Sequence, residues 1–228
     1  MPKTPQCIGV IVDGNRRWAK ENGLPLLKGH EAGYKKLREL VRWAYDAGVK
    51  YVIAYVFSSE NWNRASEEVS YLMRLAERVC WRDLPELKEE NVRIRVIGDR
   101  ARVSQKMQIL IEHAEKETAF STGLTLVLAF SYGGRDEILQ AVNRIVAEER
   151  AAVSITHDEF ARYLWTTDIP DPELIIRTSG EKRLSGFLPW QAVYSELFFL
   201  DKLWPDLTEE DLLQVFEEYG KRERRFGN

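Results

Sequence analysis

Residues 174–185 read Leu-Ile-Ile-Arg-Thr-Ser-Gly-Glu-Lys-Arg-Leu-Ser, a short apolar run followed at once by a polar loop. The run has the branched, apolar character of a buried strand, and the loop after it carries three cations. The same arrangement recurs along the chain, with a polar cluster where an apolar run stops. In open α/β sheets, ligands bind beyond the carboxyl ends of the strands. The pattern therefore predicts both a fold class and the edge of the sheet where a site lies.

Short apolar runs rich in β-branched residues predict six strands. They are Cys7–Val12, Tyr51–Phe57, Val92–Ile97, Leu124–Phe130, Leu174–Ile176 and Leu197–Leu200. Segments with helical periodicity separate most of these runs, and no linker or repeat marks a boundary. The alternation predicts one α/β domain over residues 1–228, with a mostly parallel sheet and helices on both faces.

Capping residues predict where several helices begin and end. An apolar stripe from Tyr34 to Ala44 predicts a helix that Gly48 terminates. Further helix starts are predicted at Ser66, at Ser104, at Thr156 with Glu159 and at Thr208 with Asp211.

Composition excludes several classes of function. The formal net charge is −3, so no global basic field favours nucleic acid. No apolar run approaches the roughly 20 residues that span a bilayer, and the amino terminus has no leader pattern, so we expect a cytoplasmic protein. Because the chain has no global basic field, any site for a polyanion must be local.

Cys7 and Cys80 are expected to be reduced packing residues.

The first strand runs directly into Asp13-Gly14-Asn15-Arg16-Arg17-Trp18. A glycine and free backbone N–H groups at such a place can approach a phosphate, and Asp13 suits a metal ion. Taken alone, Asp-Gly-Asn after a strand is more often an ordinary turn, and the two arginines and the tryptophan shift the balance towards binding. Downstream, Gly29-His30-Glu31-Ala32-Gly33 is predicted to open a helix whose positive end faces the same anion, although a lone His30 is more often a cap or a surface residue.

Two of the remaining polar clusters carry groups suited to binding and catalysis. Phe57–Arg64 contains Asn61, which can hydrogen-bond a reacting group, and Trp62, which serves equally well as a core anchor. Arg177–Ser185 offers the arginines and hydroxyls that a diphosphate requires, and a solvated charged loop is the alternative. The Gly133-Gly134 pair near the next strand end is typical of tight strand-to-helix packing. Glu196 places an acid at the start of the last strand, where an unpaired surface glutamate is the plain alternative.

Six motifs, in order along nearly the whole chain, resemble the signatures of the cis-prenyltransferase family, the undecaprenyl diphosphate synthase-like isoprenyl transferases. They are Asp13-Gly14-Asn15-x-Arg17-Trp18, Gly29-His30-x-Ala32-Gly33, Phe57-Ser58-x-Glu60-Asn61-Trp62-x-Arg64, Tyr132-Gly133-Gly134-Arg135, Arg177-Thr178-x-Gly180-Glu181-x-Arg183-Leu184-Ser185 and Trp190-Gln191-x-x-Tyr194-x-Glu196-Leu197. Any one motif is weak evidence, whereas six in order are specific.

The resemblance implies a six-stranded sheet with an apolar product tunnel, a homodimer and Mg²⁺ as cofactor. The substrates would be isopentenyl diphosphate and an allylic diphosphate primer, and transient membrane association would release the product. Asp13 and Asn61 are then catalytic, with Asn61 at the position proposed to assist proton removal, and Asp13 and Glu196 are linked to the metal. The implied substrate-binding residues are Gly14, Asn15, Arg16, Arg17, Trp18, His30, Ser58, Ser59, Glu60, Trp62, Arg64, Arg177, Arg183, Leu184 and Ser185. Arg225-Phe226-Gly227 resembles the family's carboxyl-terminal motif, which reaches the partner's site.

The sequence departs from the family pattern at several positions. Leu26 stands where many members carry an arginine, and we expect Arg16 or Lys28 to compensate. Ser131, Ser179, Gly186 and Pro189 replace the more usual Asn, Gly, Asn and Leu. Val56 lies at a tunnel position where a small residue accompanies long products, so its bulk is expected to shorten the product.

Two other functions compete with this interpretation. A non-catalytic binding subunit of a heteromeric prenyltransferase would have lost the catalytic aspartate and the diphosphate-binding arginines, which are present here. An unrelated α/β protein that binds nucleotides or phosphosugars would be expected to show Gly-x-Gly-x-x-Gly or a P-loop motif, and this chain has neither.

Overall fold

The computed structural model describes residues 4–148 and 154–222, and it is built on one six-stranded sheet. The strands are β1 Cys7–Ile11, β2 Tyr51–Ser58, β3 Val92–Ile97, β4 Leu124–Tyr132, β5 Leu174–Arg177 and β6 Glu196–Phe199. The helices are α1 Asn15–Glu21, α2 Leu26–Asp46, α3 Ser66–Trp81, α4 Leu84–Glu89, α5 Gln105–Glu117, α6 Gly134–Ala147, α7 His157–Ala161 and α8 Glu209–Lys221. Short 3₁₀ segments lie at Ser59–Asn63, Arg100–Arg102 and Trp204–Asp206.

The strand order is β3-β4-β2-β1-β5-β6, and every described strand pair is parallel. The predicted α/β fold with a six-stranded sheet is confirmed. Parallel pairing brings the carboxyl ends of all six strands to one edge, which is where the polar clusters follow β1, β2, β4 and β5. One connection differs from the expected alternation. Residues 178–195 join β5 to β6 without a helix or a strand, and they form a long loop beside the polar edge.

Apolar side chains fill both faces of the sheet. On one face, α2, α3, α5 and α8 pack against alternate strand residues such as Val10, Val52 and Leu126. On the other face, strand residues including Tyr55 pack against Phe187, which the long loop supplies. The loop therefore covers part of the core.

Most of the predicted helix ends are confirmed. Ser104 accepts a hydrogen bond from the Met107 N–H at 3.2 Å, and Thr156 and Thr208 both form capping boxes. Gly48 adopts a φ of +92° just after α2, a conformation that glycine tolerates at helix ends.

Two helix predictions are wrong in detail. Ser66 is the first residue of α3 and caps nothing, because the N-cap position falls on Ala65. The helix containing Gly29 begins earlier, at Leu26, so its positive end does not lie at Gly29.

Among the residues the structure describes, no helix has the length and apolar character needed to cross a membrane. The motif Arg225-Phe226-Gly227 lies outside the described residues.

Candidate active site

A cleft of about 590 Å³ opens at the carboxyl edge of the sheet. Eleven of the predicted site residues line it together: Asp13, Gly14, Asn15, Arg16, Arg17, His30, Ser58, Asn61, Arg64, Arg177 and Ser185. Residues from four separate stretches of sequence thus meet in one place, as the parallel topology requires.

The cleft is locally positive although the whole chain is negative. Five cations line it: Arg16, Arg17, Lys20, Arg64 and Arg177. Asp13 is the one carboxylate among the lining residues. This excess of positive charge suits a ligand with several negative charges, such as a diphosphate.

The centre of the site is the Arg177 guanidinium, whose side chain is 5% exposed. Its Nη2 donates to the Asp13 carboxylate at 2.7 Å, and its Nη1 donates to Ser185 Oγ at 2.9 Å and to the Arg183 carbonyl at 2.5 Å. Arg177 Nε is buried without a hydrogen-bond partner among the described residues. Arg177 therefore connects the loop after β1 with the loop after β5.

The backbone holds Asp13 in place. Thr178 Oγ1 accepts the Asp13 N–H at 3.1 Å and lies 2.6 Å from the Asp13 carbonyl, to which it donates. Gly14 follows with a φ of +111°, and a Cβ there would press against Leu203 and Trp204 at 3.0–3.1 Å. The sharp turn after β1 thus needs glycine, and it leaves the Asp13 side chain one-third exposed to the cleft.

Arg17, on α1, contacts the same long loop. Its Nη2 donates to Ser179 Oγ at 2.7 Å and lies 3.5 Å from a Glu181 carboxylate oxygen. Ser179 has a φ of +78°, which is unusual for a residue with a side chain. Arg17 and Arg177 together join α1 and β5 to residues 178–185.

Glu68 was not predicted from the sequence, and it does not line the cleft but holds three residues that do. Its buried carboxylate accepts from His30 Nε2 at 3.0 Å and from Arg64 at 3.0 Å, and Arg16 lies 3.9 Å away. Burial alone would raise the pKa of Glu68, but the His30 hydrogen bond and the two arginine charges hold it below its usual range. Burial lowers the pKa of His30, so the ring is neutral at pH 7. The signal available in the sequence was the four-residue spacing of Arg64 and Glu68, which lie on either side of the start of α3.

The segment after β2 orients Asn61. The Ser58 N–H donates to Asn61 Oδ1 at 3.1 Å, which fixes which amide atom is the oxygen. The Asn61 amide nitrogen, which has no acceptor among the described residues, is the group left for a ligand. Trp62 does not line the cleft, since it packs edge-on against Phe57 at 5.1 Å and donates to Ser131 Oγ. The core-anchor interpretation of Trp62 fits this placement.

Several predicted residues lie outside the cleft lining. Trp18 donates its indole N–H to Asp206 at 2.7 Å, and Ser59 lies beside Gly133. Glu60 is exposed, and Leu184 packs against the core under the long loop. Arg183 is exposed and pairs with Glu181, so only its carbonyl oxygen reaches the Arg177 cluster.

The structure separates Glu196 from Asp13. Glu196 pairs with Leu174 at the amino-terminal end of β6, whereas Asp13 lies beyond the opposite end of β1. Through the strand pairing, Glu196 is level with Ile8, five residue positions before Asp13, which amounts to about 16 Å along the strands. Glu196 instead accepts from Arg222 at 2.5 Å. Within a single chain Glu196 therefore does not share a metal ion with Asp13, and the link of Glu196 to the metal stays a prediction.

A second, apolar cavity of about 110 Å³ adjoins the cleft. It lies between the sheet and helices α2, α3 and α5, and its lining includes Leu75, Val79, Met107, Ile111 and Leu128. Both cavities share five lining residues: Val12, Asn15, His30, Val56 and Leu72. The charged cleft and the apolar cavity are thus adjacent, and together they suit a ligand with a charged head and a hydrocarbon chain.

The positions around Leu26 differ from expectation. Leu26 is 41% exposed at the cleft, and Arg16 and Lys20 are the cations beside it in the lining. Lys28 instead pairs with Glu31 at 2.8 Å and does not line the cleft, so of the two residues expected to compensate for Leu26, the structure favours Arg16. Lys20 and Tyr55 were not predicted, because neither belongs to a motif and both enter the site through tertiary packing.

The Asp13 carboxylate is suited to bind a metal ion that a substrate also coordinates. One carboxylate oxygen accepts from Arg177, and the other faces the site without a donor among the described residues. No group of three or more His, Cys, Asp or Glu side chains in the described part of the chain forms a cage. Mg²⁺ commonly uses one or two carboxylates together with substrate phosphates and water, so this donor set fits Mg²⁺ only when a diphosphate is present.

Comparisons with known proteins agree with this arrangement. Residues 11–227 match the prenyltransferase family model described as "Putative undecaprenyl diphosphate synthase". An isoprenyl transferase of Thermotoga maritima is 46% identical over 99% of this chain and 97% of its own length. A ditrans,polycis-undecaprenyl-diphosphate synthase of Micrococcus luteus, specific for (2E,6E)-farnesyl diphosphate, is 46% identical over 98% of this chain and 91% of its own length.

Solved structures with the same fold are also prenyl diphosphate synthases. Lavandulyl diphosphate synthase from Lavandula x intermedia, in complex with dimethylallyl diphosphate, superposes with a TM-score of 0.94 at 34% identity over 99% of both chains. A probable undecaprenyl diphosphate synthase from Campylobacter jejuni gives a TM-score of 0.83 at 30% identity, covering 99% of this chain and 100% of that one.

Proposed function

The chain belongs to the undecaprenyl diphosphate synthase family of prenyltransferases, and on that premise we propose that it adds isopentenyl diphosphate units to an allylic diphosphate primer. The observation that carries the proposal is the junction of two cavities. A cation-lined cleft meets an apolar cavity at Asn15, His30 and Val56, which matches an allylic substrate with a charged head and a hydrocarbon tail.

The two substrates use different parts of the cleft. Arg177 and Ser185 bind isopentenyl diphosphate, since they present a buried guanidinium and a hydroxyl on one side. Arg16, Arg17 and Lys20 bind the diphosphate of the primer on the other side, next to the apolar cavity that receives its chain. This division places the reacting carbons between Asp13 and the shared lining residues.

The reaction breaks one bond and forms one. The C–O bond of the allylic diphosphate breaks, diphosphate leaves, and the double-bond electrons of isopentenyl diphosphate form the new C–C bond. A proton then leaves the adduct and a cis double bond remains. The arginines of the cleft stabilise the charge that develops on the departing diphosphate. A Mg²⁺ ion held by Asp13 and substrate oxygens would neutralise further charge there.

The hydrogen bond at Asn61 bears on its role. A part in proton removal would use the amide oxygen, which already accepts the Ser58 N–H. The amide nitrogen is a donor, so in this arrangement Asn61 orients a phosphate oxygen of a substrate. We propose that orientation of substrate is its contribution to catalysis.

Assembly, location and product length follow from the same proposal. The enzyme acts in the cytoplasm as a homodimer and meets the membrane transiently, because a long polyprenyl product is insoluble in water. Val56 lies where the cleft and the apolar cavity join, so its bulk limits the chain that passes. A non-catalytic subunit is the less favoured function, because Asp13, Arg17 and Arg177 are all in place.

The test is incorporation of labelled isopentenyl diphosphate with geranyl, farnesyl and geranylgeranyl diphosphates, each with Mg²⁺ or with EDTA. We expect Mg²⁺-dependent products whose length is read by chromatography. A folded, Mg²⁺-supplied protein that incorporates nothing with any primer would contradict the proposal.

A further inference from the structure

The loop of residues 178–195 is conformationally costly. Three residues with side chains, Ser179, Ser185 and Leu188, have φ values of +78°, +51° and +49°. Such left-handed positions are strained for residues with a side chain and persist only where surrounding contacts determine them. Because Ser185 belongs to the Arg177 cluster, whatever holds this loop also sets the geometry of the site.

Tyr55 on β2 is the side chain that meets this loop from the sheet. Its ring stacks on Phe187 at 4.9 Å with an interplanar angle of 16°, and it meets Tyr132 edge-on at 5.8 Å. Phe187 is fully buried, so the stacked pair fixes the tip of the loop against the core. The ring orientation is therefore determined from two sides.

The Tyr55 hydroxyl reaches the backbone of two segments, the end of β4 and the long loop. It lies 3.2 Å from the Tyr132 carbonyl oxygen and 3.4 Å from the Ser185 carbonyl oxygen, so its one proton is shared between them. Burial raises the pKa of Tyr55 well above its usual range, so the hydroxyl remains a donor at neutral pH. Tyr55 also lines the cleft beside Arg177 and Ser185.

We infer that Tyr55 is a positioning residue for the isopentenyl diphosphate site, which it serves by holding Ser185 in the left-handed conformation that presents its hydroxyl to Arg177. The inference rests on the proposed function, and it assigns the effect to one of the two substrates. Among the residues that the structure describes, the primer's cations Arg16 and Lys20 have no hydrogen bond with the long loop. Arg17 contacts the loop at Ser179, six residues before Ser185, and not at the residue that Tyr55 holds.

Tyr55→Phe removes the hydroxyl and keeps the stacked ring. Tyr51→Phe, on the same strand and four residues earlier, is the matched control, because it lies at the opposite end of the sheet. We expect Tyr55→Phe to raise the KM for isopentenyl diphosphate about three- to tenfold, the range of one net hydrogen bond, and to leave the KM for the primer unchanged. In a Ser185→Ala background, the same substitution should have a smaller effect.

Calorimetric binding of isopentenyl diphosphate, without primer, provides a second measure that needs no turnover. If the wild type binds but incorporates nothing, the proposed function fails while the affinities of the two variants still decide the inference. Equal affinity and equal KM for Tyr55→Phe and the wild type would overturn the inference alone. A matched rise in the KM of both substrates would also overturn it, because a general loss of structure would then explain the effect.

Discussion

Arg177→Lys tests the centre of the site most sharply, because it keeps the charge and removes the forked geometry. In the wild type, the buried guanidinium donates to Asp13, Ser185 and the Arg183 carbonyl at 2.5–2.9 Å. A lysine has one ammonium group and cannot reach all three acceptors in the same plane. The substitution therefore loses at least one charge-assisted hydrogen bond, about 1.5–3 kcal/mol. We expect kcat/KM for isopentenyl diphosphate to fall about 10- to 150-fold.

The assay is steady-state incorporation of labelled isopentenyl diphosphate at saturating primer. Thermal unfolding shows whether the variant is folded, and Arg42→Lys is a control, since Arg42 is exposed on α2 and pairs with Glu90. The loss should appear for isopentenyl diphosphate and be small for the primer. An Arg177→Lys enzyme with the wild-type kcat/KM would refute the argument that the forked guanidinium geometry is needed to bind isopentenyl diphosphate.

Three further predictions concern packing, pH and product length. Gly29→Ala should lower the free energy of unfolding by about 1–3 kcal/mol in urea, because its Cβ would overlap the Asn15 carbonyl oxygen; an unchanged midpoint would contradict this close helix contact. Burial raises the pKa of the fully buried Glu137, so ionisation costs stability as pH rises above the 4.5 of an exposed glutamate. The stability of Glu137→Gln relative to the wild type should therefore increase from acid to neutral pH, and a flat difference would count against the shift. Val56→Ala should lengthen the products, and an identical chain-length distribution would exclude Val56 as the restriction.

The sequence was sufficient to predict the sheet and the edge where the site lies. Apolar runs mark buried parallel strands whatever surrounds them, so β3 is predicted to the residue and β1 to within one position. Since parallel strands share one carboxyl edge, the clusters after β1 and β5 had to converge, and Asp13 meets Arg177 there.

Other features depend on packing that local sequence does not encode. Glu68 and Tyr55 look like ordinary helix and strand residues, and only their tertiary neighbours give them a place at the site. Glu196 was correctly predicted at the start of the last strand, but its motif does not show how far that end of β6 lies from Asp13.

Backbone conformation explains some of the departures from the family pattern. Ser131 and Ser179 have φ values of +52° and +78°, and Gly186 has +79°. Asparagine and glycine tolerate this region better than serine does, which accounts for the Asn and Gly expected at Ser131 and Ser179 and for the Asn or Gly at position 186. The protein compensates with contacts, since Ser131 Oγ accepts from Trp62 and Ser179 Oγ accepts from Arg17.

The central claim is that Asp13 and the cations around it catalyse condensation of isopentenyl diphosphate with an allylic primer. The most direct measurement compares the wild type with Asp13→Asn for incorporation of labelled isopentenyl diphosphate in the presence of farnesyl diphosphate and Mg²⁺. NMR of the product then identifies the geometry of the new double bonds. We predict cis products from the wild type and a loss of nearly all incorporation by a folded Asp13→Asn variant. Undiminished incorporation by that variant, or products with only trans double bonds, would contradict the account.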